Sequence, residues 1–236
     1  MNEARDRPGA VEALMYQAYR LGRRLVRLPF VAAWIPGKLR SRVQSRMLAR
    51  VIDQLPDRRY MEAVILPRLA SLKPSRLLDV GVEDYTQDYN QQFSPDCDYW
   101  TLDLNPNVAR YRPPDRHIVA NVLDVASYFE PGSLDVVLMN GPFGYGIDRH
   151  AEQERTIEAV HSLLRPGGRL LVGWDRDREG RPVVMEKPGP DADARIKDPT
   201  ELEAIRSHFR HEPPPGLPAR MDFADCSHVY DWFRLA

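Results

Sequence analysis

Five short apolar runs, separated by turn-rich stretches, restrict the folds open to this chain. They span residues 76–80, 99–103, 117–120, 134–139 and 169–174. Their length and their content of Leu, Val and Ile predict buried strands. Between the fourth and the fifth, residues 152–164 place apolar side chains at helical spacing. Strands that alternate with helices predict a mostly parallel sheet. The junction over 163–175 is the sharpest signal. There a helix end, the turn Pro166-Gly167-Gly168 and the run Leu170-Leu171-Val172 follow in order. Glycine supplies the left-handed geometry that ends a helix, and proline stops its continuation.

Three helices are predicted ahead of the first strand, over 11–28, 39–55 and 59–72. Pro29 closes the first, and Pro36-Gly37 marks a turn. The chain therefore divides into a helical extension, 1–72, and a sheet domain, 73–236. Beyond the fifth strand, 175–198 reads as a loop. A helix over 198–209 is capped by Asp198 or Thr200, with Pro199 in its first turn. The prolines of 212–216 break the chain again, and 227–234 reads as a last strand.

Charge is distributed unevenly. Residues 1–59 carry 13 Lys and Arg against 5 Asp and Glu, and the remainder carries 20 against 29. Nine basic residues and no acidic one lie between Arg20 and Arg50. Such a half points to an anionic partner. Cys97 and Cys226 are the only cysteines, too few for a disulfide framework or a zinc motif. They fit a cytoplasmic setting. The start does not resemble a cleaved signal, and the apolar run 28–35, broken by Pro29, is too short to span a bilayer. No acidic or histidine cluster has metal-ligand spacing, so no metal is expected.

Residues at the ends of the predicted strands carry the chemistry. Leu78-Asp79-Val80-Gly81 ends the first, and Gly81 permits close backbone approach. Asp103, in Thr101-Leu102-Asp103-Leu104, ends the second, where two carboxylate oxygens can accept from a ribose diol. Asn121-Val122-Leu123-Asp124 follows the third. Met139-Asn140-Gly141-Pro142-Phe143-Gly144-Tyr145-Gly146-Ile147-Asp148 follows the fourth, its glycines permitting an irregular loop.

Together with the Pro-Gly-Gly junction, these segments resemble class I S-adenosylmethionine-dependent methyltransferases over residues 75–236. The resemblance implies an α/β, doubly wound, Rossmann-like sheet of seven mostly parallel strands, closed by an antiparallel hairpin. It implies S-adenosylmethionine as cofactor. Asp79, Gly81 and Val82 would stand at its methionine end, Asp103 and Leu104 at the ribose, Val122, Leu123 and Asp124 at the adenine, and Asn140 and Gly141 beside the methyl. The family's run of glycines is here Gly81-Val82-Glu83-Asp84-Tyr85-Thr86, with one glycine. Asn140, Tyr145, Asp148 and His150 are the catalytic candidates, with His150 as a base for an acceptor proton. His161 reads as structural. His228 stands before the last strand, with Asp231 nearby.

The acceptor expected is a small molecule: a sugar, a natural product or a lipid-linked compound. The stretch 20–50 mixes cationic, aliphatic and aromatic side chains. It reads as a peripheral contact with an anionic membrane, or as a lid or homodimer contact with solvated arginines. Nucleic acid is not expected, because no RNA-binding motif is present. Two rival readings stand beside methyl transfer. One is a catalytically silent relative acting as a binding or partner subunit. The other is a nicotinamide-dependent oxidoreductase, disfavoured because no Gly-x-Gly-x-x-Gly follows the first strand.

Overall fold

The structure is a computed structural model that describes residues 55–177, 180–183, 196–224 and 226–236. The helix expected over 11–28, that over 39–55 except its last residue, the basic stretch 20–50, and residues 178–179 and 184–195 of the loop expected over 175–198 lie outside the described residues. The chain divides between Met61 and Glu62, and the unit Glu62–Ala236 carries the sheet. The helix expected over 59–72 is present as α1 (Pro56–Tyr60), a π-helical stretch Met61–Ile65, and α2 (Leu66–Ser71).

The strands stand close to where the apolar runs place them, except that the fifth begins at Leu164 and takes in Pro166-Gly167-Gly168, expected as a turn, with a register shift against the fourth. They are β1 (Arg76–Val80), β2 (Asp98–Asp103), β3 (His117–Val119), β4 (Leu134–Asn140) and β5 (Leu164–Asp175). β6 (Phe209–Arg210), β7 (Arg220–Asp222) and β8 (His228–Leu235) complete the sheet. The order is β3-β2-β1-β4-β5-β8-β6, with β7 also on β8. Strands β1 to β5 pair in parallel, and β8 runs antiparallel to β5. The sheet is thus mostly parallel, as the alternation implies. It has eight strands rather than seven because β6 and β7 pair with different ends of β8. Pro213, Pro214 and Pro215 lie between them and offer no backbone N–H to continue a ladder.

The connections depart further from a doubly wound ideal. Only the β4–β5 crossover carries a long helix, α3 (His150–Leu163). The other crossovers hold short 3-10 turns: Asp84–Thr86 with Tyr89–Gln92, then Pro106–Tyr111, then Val122–Ser127. The Asn105 and Asn121 side chains open the last two by accepting from Asn107 N–H and Leu123 N–H. Pro113, Pro114 and Pro131 then limit how far each turn can run. The helix expected over 198–209 is likewise divided. Asp198 caps a 3-10 turn, Pro199–Glu201, and α4 (Glu203–His208) follows.

Both faces of the central strands are buried. Leu78, Val80, Val137, Met139, Leu170 and Val172 share a core with Ile157, Val160 and Leu163 of α3. Alternation puts Leu77, Val136, Leu138 and Leu171 on the opposite face, and all are buried too. Each such side chain contributes about 1.5–3 kcal/mol through burial.

One buried carboxylate ties the antiparallel end together. Asp231 of β8 is fully buried. It accepts from Trp174 Nε1 at 2.8 Å and lies 2.9 Å from His211 Nε2. Arg220 of β7 binds both its oxygens, at 2.8 and 2.9 Å, and reaches Asp198 at 2.6 Å. Removing one partner of a buried charge leaves the other uncompensated. Asp231→Ala should destabilise the chain by about 3 kcal/mol, at the lower end of the buried-pair range because Arg220 is part-exposed. Urea unfolding measures this, and a loss below about 1 kcal/mol, the surface-pair range, would contradict it.

Candidate active site

The carboxyl ends of β1, β2 and β4 converge, as they do at the ligand crevice of open α/β sheets. β1 is followed by Gly81, whose N–H continues the ladder by donating to Leu102 O at 3.1 Å. Its φ is +85°, and a Cβ there would meet the Asn140 carbonyl oxygen at 2.5 Å. On the other side of β4, Gly173 of β5 pairs with Asn140. A Cβ on Gly173 would stand 2.2 Å from Asn140 Oδ1 and 2.8 Å from His228 Nε2. The last residue of β4 therefore sits between two strands that each lack a side chain beside it. Gly141, at φ +95°, follows with open space where a Cβ would be.

Asp103 closes β2 half-buried. Its carboxylate accepts from Asn105 N–H at 2.7 Å and lies near Val82 N–H. Burial raises its pKa, against the opposing pull of those N–H groups and of Arg112. That proximity sets the carboxylate beside the Gly81 turn. A carboxylate has about four acceptor positions, so capacity remains for two hydroxyls. Beside it, Leu104 is 62% exposed, an unusual apolar ledge.

The one-glycine turn is held by other means. Arg112, itself buried, donates to Thr86 O at 2.9 Å, Glu83 O at 2.7 Å and Thr86 Oγ1 at 2.6 Å. Asp79 lies beneath the turn, buried, and accepts from the Tyr99 hydroxyl at 2.7 Å. Burial, and then the Asp79 charge, push the Tyr99 phenol well above its usual pKa, which keeps it a donor. The Val82 side chain is buried, leaving its backbone to act. Past β3, Val122 is buried in the core, Leu123 is half-buried and Asp124 is exposed.

The fourth-strand loop divides the catalytic candidates. The Tyr145 ring is 53% exposed, and its phenol bonds Asp175. Asp148 Oδ1 accepts from Gly146 N–H at 3.3 Å and shapes the loop. His150, expected as a base, is instead engaged one helical turn onward, with Nε2 2.8 Å from Glu154 Oε1. Glu154 also accepts from Glu203 and Ala204 N–H, both at 2.9 Å, so His150 joins a contact between α3 and α4.

His228 is the histidine that stands beside Asn140 at the end of β4. Its Nε2 lies 2.9 Å from Asn140 Oδ1, and its Nδ1 lies 3.5 Å from Asp175. The register Asp175↔His228 brings the two together. Asp231, three residues along β8, falls on the other face, as a period of two requires. Ser227 Oγ completes the group, donating to Asp175 at 2.7 Å. Burial would raise the Asp175 pKa, but bonds from His228, Ser227 and Tyr145 hold it below the usual carboxylate range. Among the described residues Cys97 is no rival nucleophile. Its thiol is pushed up to about 11, mainly by burial.

A group with a depressed pKa adds stability above its unfolded value, about 3.9 for Asp, and loses it as pH falls through the folded value. Ser227→Ala should move the Asp175 titration upward, followed by carbon NMR, and narrow that low-pH window. An unmoved titration would show that the hydroxyl contributes nothing.

No protein-family model matches the sequence, and no curated protein does. Solved structures do. The N-methyltransferase NodS from Bradyrhizobium japonicum WM9 is 15% identical, with a TM-score of 0.54 over 78% of this chain and 98% of that one. NodS in complex with S-adenosyl-L-homocysteine is 17% identical, with a TM-score of 0.54 over 78% and 90%. The PH0226 protein from Pyrococcus horikoshii OT3 is 15% identical, with a TM-score of 0.54 over 78% and 93%. At these identities the likeness shows a shared fold. It is the methyltransferase fold that the strand-end motifs resemble.

Proposed function

We propose that this chain is an S-adenosylmethionine-dependent methyltransferase acting on a small-molecule acceptor. The observation that carries the reading is the carboxyl rim of the sheet. Asn140 is seated between Gly81 and Gly173, and the Asp103 carboxylate lies beside the same glycine turn. Neighbouring folds include a methyltransferase with the demethylated cofactor bound.

S-adenosylmethionine supplies a methyl group already activated on a sulfonium. The residues then have to position and to manage a proton. Asp103 accepts from the ribose hydroxyls, and Leu104 offers its exposed face to the purine. Leu123 and Asp124 stand on the adenine side. Gly81 and Val82 bring backbone close to the methionine end, and Gly141 leaves room beside it. Orientation of donor and acceptor is the main source of rate in such a transfer. His228 is the base: Nε2 would turn from Asn140 Oδ1 to take the acceptor's proton, while Asp175 beside Nδ1 stabilises the charged ring. Tyr145 borders the acceptor side. A sugar, natural product or lipid-linked acceptor fits this chemistry. The basic stretch 20–50 would bring a lipid-linked acceptor close by contact with an anionic membrane.

Calorimetry tests the reading. The chain should bind S-adenosylmethionine and S-adenosylhomocysteine with saturable heats. Hydrogen bonds to a charged group contribute about 1.5–3 kcal/mol each. Asp103→Ala should therefore weaken both ligands by about a hundredfold while the fold, followed by circular dichroism, is kept. Undetectable binding of both ligands by the wild type at millimolar concentration would instead favour a silent relative.

A further inference from the structure

A second cluster lies away from the rim. Helix α3 starts after β4 and ends where β5 begins, so its last turns lie toward the opposite end of the sheet. Glu158 and His161 are three residues apart on it. This Glu-x-x-His spacing presents two ligands on one helix face, as in helical metal sites. His208, the last residue of α4, meets them from the neighbouring helix. His208 Nε2 lies 3.2 Å from Glu158 Oε1. The rings of His161 and His208 stack with centroids 3.8 Å apart, tilted by 12°. One ligand atom from each of the three residues falls within 4.8 Å of the other two.

We propose that Glu158, His161 and His208 form a Zn2+ site that joins α3 to α4. Two imidazole nitrogens and one carboxylate oxygen are a donor set zinc takes, at 2.0–2.2 Å. Tetrahedral ligation at those lengths sets the ligand atoms roughly 3.3 Å apart. The Glu158–His208 pair stands at that separation, and a turn of the His208 ring that keeps its Nε2 near Glu158 closes the remaining gaps. Stacked rings cannot both aim a lone pair at one ion, so binding turns one ring out of the stack. His208 is the ring that turns, because it ends its helix and 30% of its side chain is exposed. Three protein ligands leave the fourth position to water. The sequence shows only the Glu158–His161 half of this site, because its third ligand comes from a different helix. The expectation of no metal rested on local spacing alone.

Titration of the full-length, tag-free chain with zinc sulfate at neutral pH tests this proposal. One equivalent should bind in the micromolar range or tighter. His161→Asn and His208→Ala should each weaken binding by at least about tenfold, the scale seen when metal sites lose supporting groups. A hundredfold excess of zinc over its dissociation constant should raise the melting temperature by several degrees. That rise should vanish in His208→Ala, whose melting temperature without zinc serves as the folding control. No saturable zinc binding in the micromolar range overturns the proposal. So does unchanged zinc affinity in either histidine variant, which would place the ion elsewhere.

Discussion

The close seating of Asn140 between two glycines is the constraint on which the rim depends. Its carbonyl occupies the place of a Cβ on Gly81, and its side-chain oxygen occupies the place of one on Gly173. Parallel strands stand about 4.8 Å apart, which leaves little room for a polar side chain to turn inward between neighbours. Removing both neighbouring side chains creates that room at the end of β4. The same omission at Gly173 lets His228 reach across from β8. A side chain at either position would push the amide, the imidazole or the β1 turn out of place.

Around that seat the protein replaces what its sequence lacks. A glycine-rich turn needs no external support to lie close to a ligand. This turn has one glycine, and the buried Arg112 guanidinium fixes it through Thr86 and Glu83. A hydrogen bond from a charged donor contributes about 1.5–3 kcal/mol, so three of them are a strong local restraint. The absence of regular helices in the first three crossovers fits the same picture. The chain between these strands is short and proline-marked, and side-chain bonds to backbone hold it.

Much of the fold was legible in the sequence, and for a definite reason. Each central strand is buried on both faces, so it appears as an unbroken apolar run. The carboxylate of Asp103 and the glycine of the first turn were legible because each belongs to a strand end only a few residues long. The meeting of His228 with Asp175 was less so. His228 and Asp175 meet only through the antiparallel register of β5 with β8, which a linear reading cannot supply. His150 looked suitable because it follows the fourth-strand loop, yet the helix that begins there turns it onto Glu154. The split of the last hairpin into β6 and β7 could be read from the prolines at 213–215, but only once a neighbouring strand was known to need their missing N–H groups.

A crystal structure of the chain grown with S-adenosylhomocysteine tests the account most directly. The account predicts the ribose diol on Asp103, the purine against Leu104 and the sulfur beside Asn140. Density for the nucleoside anywhere else, or loop side chains filling the space above Gly81 and Asn140, would contradict it.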